Sequence, residues 1–99
     1  MFSSDWIEYD NFCVSQFNKE LIASPMPAGD LNIKDCRSIC ESNYDSKFYC
    51  TAIEWYENGW NDVKCFLILD DIPASKGFDG PRRGDATCHV KAGTLFITP

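Results

Sequence analysis

Asn32-Ile33-Lys34-Asp35-Cys36-Arg37-Ser38-Ile39-Cys40 places two cysteines one helical turn apart. Asn32 offers an N-cap, and Asp35 falls in the first turn, where the helix dipole favours a carboxylate. Ile33, Cys36, Ile39 and Cys40 line up as an apolar stripe at helical spacing. The pattern predicts a helix from Asn32 to about Asn43, with Asn43 and Asp45 supplying loop chemistry. Residues four apart on a helix share a face. A bond between Cys36 and Cys40 would therefore constrain little, and each is more useful reaching a different element.

Two such elements follow. Phe48 to Glu57 (FYCTAIEWYE) is rich in β-formers and carries Cys50, and Val63 to Leu69 (VKCFLIL) carries Cys65. Asn58-Gly59 between them is a hairpin signal because both residues accept positive φ, with Trp60-Asn61 widening the loop. A helix bonded to both hairpin strands would be riveted twice. Cys13 and Cys88 are then left to tie the ends of the domain together. Which cysteine takes which partner stays open on spacing alone.

The remaining segments complete an α+β plan. Trp6 to Val14 reads as one or two short strands. Lys19 to Ser24 reads as another, stopped by Pro25-Met26-Pro27 and the turn Ala28-Gly29-Asp30. Ile72 to Asp85 is a loop dense in Gly, Pro and charge. Thr87 to Lys91 and Thr94 to Thr98 close the chain as short strands. The expected architecture is an antiparallel sheet with one helix laid across it.

The totals agree with a single domain over residues 1–99, its core from about 10 to 91. A chain this short has a thin core, so six cysteines matter to its stability. An even cysteine count in a small domain implies disulfides and an oxidising, extracellular setting. Met1-Phe2-Ser3-Ser4-Asp5 lacks the features of a leader, so the expectation is a secreted domain whose leader is absent from this chain. A net charge of −6 makes nucleic acid a poor partner. The longest apolar run, Cys65 to Leu69, is strand-sized and does not suit membrane insertion. No Asn-x-Ser/Thr sequon is present.

Asp35-Cys36-Arg37-Ser38-Ile39-Cys40, then Phe48-Tyr49-Cys50-Thr51-Ala52-Ile53-Glu54-Trp55, then Lys64-Cys65-Phe66-Leu67, together resemble the PAN/apple domain. That family has a cysteine pair one turn apart on its helix, a Cys-x-Ala strand and a Cys-aromatic-Leu strand. The outer cysteines resemble its six-cysteine form, and the resemblance covers roughly residues 10 to 91. It implies the pairing Cys13–Cys88, Cys36–Cys65 and Cys40–Cys50. It also implies a non-catalytic adhesion or recognition role toward carbohydrate or protein.

The chemistry-bearing motifs are few. Six scattered cysteines with a single histidine, and no Cys-x-x-Cys, argue against zinc. Cys88 and His89 are neighbours that point to opposite faces of a strand, which spoils a thiol–imidazole pair and leaves a surface or half-buried histidine. Asp70-Asp71 reads as a solvated strand end. No cofactor motif and no catalytic constellation appears, so the expectation is no enzyme, no metal and no cofactor. Trp55, Tyr56 and Trp60 cluster near Asn58-Gly59. Aromatic faces stack on sugar rings and amides bond hydroxyls, which makes Trp60, Tyr56, Asn58 and Asn61 candidate ligand contacts, with Trp55 in the core. Arg83-Gly84-Asp85 is the tripeptide integrins read, set in a Gly/Pro loop.

The expected function is an extracellular binding module for a glycan or a protein. Two alternatives remain. One is a self-assembling structural protein using the apolar segment Thr94-Leu95-Phe96-Ile97-Thr98, and the other is an integrin-directed ligand acting through Arg83, Gly84 and Asp85.

Overall fold

The β-rich run Cys50–Trp60 becomes the central strand of the molecule. In the computed structural model, which describes residues 6–26, 31–42, 49–69 and 71–91, the chain forms β1 (Trp6–Asp10), β2 (Ala23–Met26), α1 (Ile33–Ser42), β3 (Cys50–Trp60), β4 (Val63–Leu69) and β5 (Ala86–Lys91). The strands make one five-stranded antiparallel sheet in the order β1-β5-β3-β4-β2. This is a small disulfide-rich α+β fold. The expected strand Thr94–Thr98 and the residue Asp70 lie outside the described residues.

The helix is capped reciprocally. The Asp35 N–H donates to Asn32 Oδ1 at 2.8 Å, and the Asn32 N–H donates to Asp35 Oδ2 at 3.4 Å. Two of the helix's orphan donors are met this way. Cys36 and Cys40 are both buried on one face of α1. They bond to different strands, Cys36 to Cys65 of β4 and Cys40 to Cys50 of β3. Ile53, Trp55 and Leu67 pack with these cysteines to form the core under the helix.

The opposite face of the sheet is covered by irregular chain. Ala52, Ile68, Cys88 and Val90 pack there with Cys13 and Leu21. Phe12, Val14, Tyr56 and Ala86 form a second cluster on that side. The segments around residues 12–14 and 74–78 lie side by side, with the Phe78 N–H donating to the Phe12 carbonyl at 3.0 Å and the Ala74 N–H to the Val14 carbonyl at 2.8 Å. Gly77 fits because it has no side chain. A Cβ there would stand 1.5 Å from the Asp10 carbonyl oxygen. Cys13–Cys88 pins this layer to β5. Strand β3 is thus buried on both faces, and Trp55 and Tyr56 both lie in the core although they point opposite ways.

Two expected boundaries are corrected. The hairpin does not turn at Asn58-Gly59. Trp60 pairs with Val63, so the two-residue turn is Asn61-Asp62, with φ of 54° and 66°. Positive φ at both central residues is the turn geometry that matches strand twist. Gly59, at φ 85°, serves an irregularity in β3, where the register jumps from Trp55↔Cys65 to Trp60↔Val63. The second correction concerns Lys19 to Ser24. The strand is instead Ala23–Met26 and runs through Pro25. It tolerates the proline because β2 is an edge strand, paired among the described residues with β4 alone. Glu20 makes only an isolated bridge to Val14.

Candidate functional site

Asn11 organises the loop face. It sits at φ 69°, just after β1, and is buried. Its amide nitrogen donates to the carbonyls of Gly80 and Pro81 at 3.3 and 3.1 Å, and its Oδ1 accepts the Arg83 N–H at 3.1 Å. A single left-handed asparagine therefore fixes the path of residues 80–83 and aims the Arg83 side chain.

That side chain enters a cleft with a volume of about 370 Å³, lined among others by Glu20, Glu54, Tyr56, Trp60, Phe66 and Arg83. The guanidinium grips Glu20 with both terminal nitrogens, Nη1 to Oε2 at 2.6 Å and Nη2 to Oε1 at 2.7 Å. It lies 4.1 Å from the Phe12 ring centre and 5.4 Å from that of Trp60. The bidentate bond holds the Glu20 carboxyl below the ordinary carboxylate range and raises Arg83 still higher. Trp60 stacks on Tyr56 at 5.8 Å between ring centres, and Phe66 meets Tyr56 edge-on at 5.4 Å. Trp60 keeps 40% of its surface exposed, and its indole N–H has no hydrogen-bond acceptor among the described residues.

Glu54 forms the floor and is only 2% exposed. Its Oε2 accepts the Cys13 N–H at 3.1 Å, and its Oε1 accepts the Tyr56 hydroxyl at 3.3 Å. Burial raises its pKa to about 7, outweighing the Cys13 hydrogen bond that works the other way. Burial, reinforced by the Glu54 charge, pushes Tyr56 up to about 12.

The expected site residues fare differently. Trp60 and Asn61 line the cleft, Trp60 as an exposed ring and Asn61 from the hairpin turn. Tyr56 is there too, but at 1% exposure it is floor and support rather than an open contact. Asn58 is not among the lining residues, and its backbone N–H and side-chain amide both donate to Asp85 Oδ2, at 2.9 and 2.8 Å. In Arg83-Gly84-Asp85 both charged ends are therefore engaged within the fold, the arginine by Glu20 and the aspartate by Asn58. That arrangement gives the integrin reading no support. The sequence does not mark Glu20, Glu54 and Asn11 as site residues. Nothing in their local pattern marks them, since they meet only through the loop layer.

His89 is fully buried, not at the surface or half-buried as expected, and the Arg37 side chain reaches it from α1. Arg37 Nη2 donates to its Nδ1 at 2.9 Å, which leaves Nε2 to donate to the Thr87 hydroxyl at 2.8 Å. Burial, with the Arg37 charge adding, lowers its pKa to about 4. Among the described residues no group of three or more His, Cys, Asp or Glu gathers in a way that suits a metal, and no cysteine is free.

Chemically, the cleft offers an exposed indole face beside an adjacent acceptor and donor, the Glu20 carboxylate and the Arg83 guanidinium. Compared with family models, with curated protein sequences and with solved structures, the chain matches none.

Proposed function

We propose that this chain is a non-catalytic recognition module of the PAN/apple kind that works outside the cell and reads carbohydrate through the Trp60–Arg83–Glu20 cleft. The disulfides Cys13–Cys88, Cys36–Cys65 and Cys40–Cys50 support the PAN/apple placement, since they form the pattern that the sequence resemblance implies. Three disulfides also suit an oxidising compartment.

The observation that carries the carbohydrate reading is the exposed Trp60 ring standing next to a rigid ion pair. Sugar rings offer an apolar face and a fringe of hydroxyls. An aromatic platform takes the face, and fixed polar groups in a concave site take the fringe. The ion pair is held by Asn11 and by two aromatic rings, so little side-chain entropy is lost when a ligand binds.

A glycan array probed with the purified domain and its Trp60→Ala variant tests this reading. The expected result is binding by the wild type and at least a tenfold loss in the variant, with its fold intact by circular dichroism. Undiminished binding by Trp60→Ala refutes the assignment of the cleft.

A further inference from the structure

We infer that the cleft selects uncharged sugars against sugars that carry a carboxylate, and that Glu20 enforces the selection by masking Arg83. This deepens the carbohydrate reading and rests on it.

The argument is one of charge. Among the described residues, Arg83 is the only basic one lining the cleft. Both terminal guanidinium nitrogens are already committed to the two oxygens of Glu20, at 2.6 and 2.7 Å. A bidentate guanidinium is the natural receptor for a carboxylate, but here the protein's own carboxylate occupies that position. The guanidinium also lies 4.1 Å from the Phe12 ring centre and 5.4 Å from that of Trp60, so aromatic surface crowds the space an anion would need. Glu54 beneath the cleft adds partial negative charge near neutral pH, since its pKa is about 7. The chain as a whole carries −6. An incoming sugar acid therefore finds no free cation, and it meets net negative potential in the cleft and around it.

A neutral sugar finds a better match. The side chains of Glu20 and Arg83 keep 49% and 23% of their surface exposed, so the pair can still be touched at its edge. Each Glu20 oxygen has a lone pair beyond the one that Arg83 uses, and each terminal nitrogen has a second hydrogen. A hydroxyl at that edge can accept from the guanidinium and donate to the carboxylate. Adjacent hydroxyls on a pyranose supply such groups in sequence, while the ring rests against Trp60.

Matched pairs test the inference: glucose with glucuronic acid, and galactose with galacturonic acid, as methyl glycosides. Each pair differs only in carrying CH₂OH or a carboxylate on the ring. Affinities are measured for the wild type and for Glu20→Gln at pH 8, by calorimetry or saturation-transfer NMR. The expected result is that the wild type binds at least one neutral member and binds its acid partner at least tenfold more weakly. Glu20→Gln, with Arg83 unmasked, should narrow or invert that ratio by about tenfold.

Equal or tighter binding of the acids by the wild type overturns the selectivity while leaving the carbohydrate reading standing. Binding of none of the four overturns both. An unchanged ratio in a folded Glu20→Gln overturns the masking role of Glu20. The wild-type comparison needs no variant, so it decides the selectivity even if Glu20→Gln fails to fold.

Discussion

The two faces of the sheet are built on different principles. On one, a regular helix is bolted down by Cys36–Cys65 and Cys40–Cys50, and its buried polar chain runs through Arg37, His89 and Thr87. On the other, loops are held by one disulfide, two left-handed asparagines, Asn11 and Asn18, and a glycine with no room for a side chain. The helix face keeps an imidazole neutral, and the loop face keeps a carboxyl near half-ionised. A groove of about 440 Å³ beside the helix is lined, among the described residues, by Met26, Ser38, Ile39, Ser42 and Leu67, none of them charged. The charged, aromatic cleft lies on the loop side. Regular structure here supplies the frame, and irregular structure supplies the surface on which recognition chemistry is placed.

The largest difference between the faces should appear when their cross-links are removed. Cys13–Cys88 spans a sequence separation of 75, against 10 for Cys40–Cys50. In the chain-entropy model these loops contribute about 4–5 and about 3 kcal/mol. Replacing Cys13 and Cys88 together by serine should cost more in urea unfolding than replacing Cys40 and Cys50. The reverse order would mean that the loop layer adds little to the fold.

The buried ionisable groups give the two faces opposite pH responses. His89 has its pKa lowered from 6.5 to about 4, so its contribution is present above pH 6.5 and is lost as pH falls toward 4. Glu54 has its pKa raised from 4.5 to about 7, so its contribution is present below pH 4.5 and is lost as pH rises through 7. Each spans about 3 kcal/mol at most. Glu54→Gln removes one of the two. Relative to the wild type, it should gain up to about 3 kcal/mol between pH 4.5 and pH 8, read from denaturant midpoints across pH. A constant difference would show that Glu54 titrates as it does in the unfolded chain.

Much of the helix face could be read from the sequence, and little of the loop face could. Asn32, Asp35 and the Cys36–Cys40 spacing act within a few residues of one another, so local rules reach them. Alternation puts Trp55 and Tyr56 on opposite faces, but the register shift between Cys50 and Ala52 decides that Trp55 is the one under the helix. Spacing alone leaves the cysteine partners open. Arg83, by contrast, owes its position to Asn11 and its charge balance to Glu20, residues 72 and 63 positions away. Local patterns are blind to such pairs and show Arg83 only beside its neighbours Gly84 and Asp85. The position of the hairpin turn escapes local rules for a related reason. Asn58-Gly59 and Asn61-Asp62 both suit positive φ, and only the pairing with β4 decides between them.

Asn11→Ala should cost about 2 kcal/mol, because it strips the loop carbonyls of a buried donor and the Arg83 N–H of its acceptor. It should also weaken ligand binding through loss of Arg83 alignment. The corresponding change on the helix face, Asn32→Ala, removes one cap and should cost about 1 kcal/mol without touching ligand affinity. Calorimetric melting of both variants, together with the glycan array, separates the two effects.

The most direct measurement uses the three tryptophans, since Trp6 and Trp55 pack on the helix side and Trp60 lines the cleft. In a ¹⁵N-labelled sample titrated with methyl glucoside or methyl galactoside, the Trp60 indole N–H should shift together with the backbone amides of Asn61 and Arg83. The indoles of Trp6 and Trp55 should stay in place. Shifts confined to the helix side, or a Trp60 signal unmoved while the sugar binds, would contradict a recognition site on the loop face.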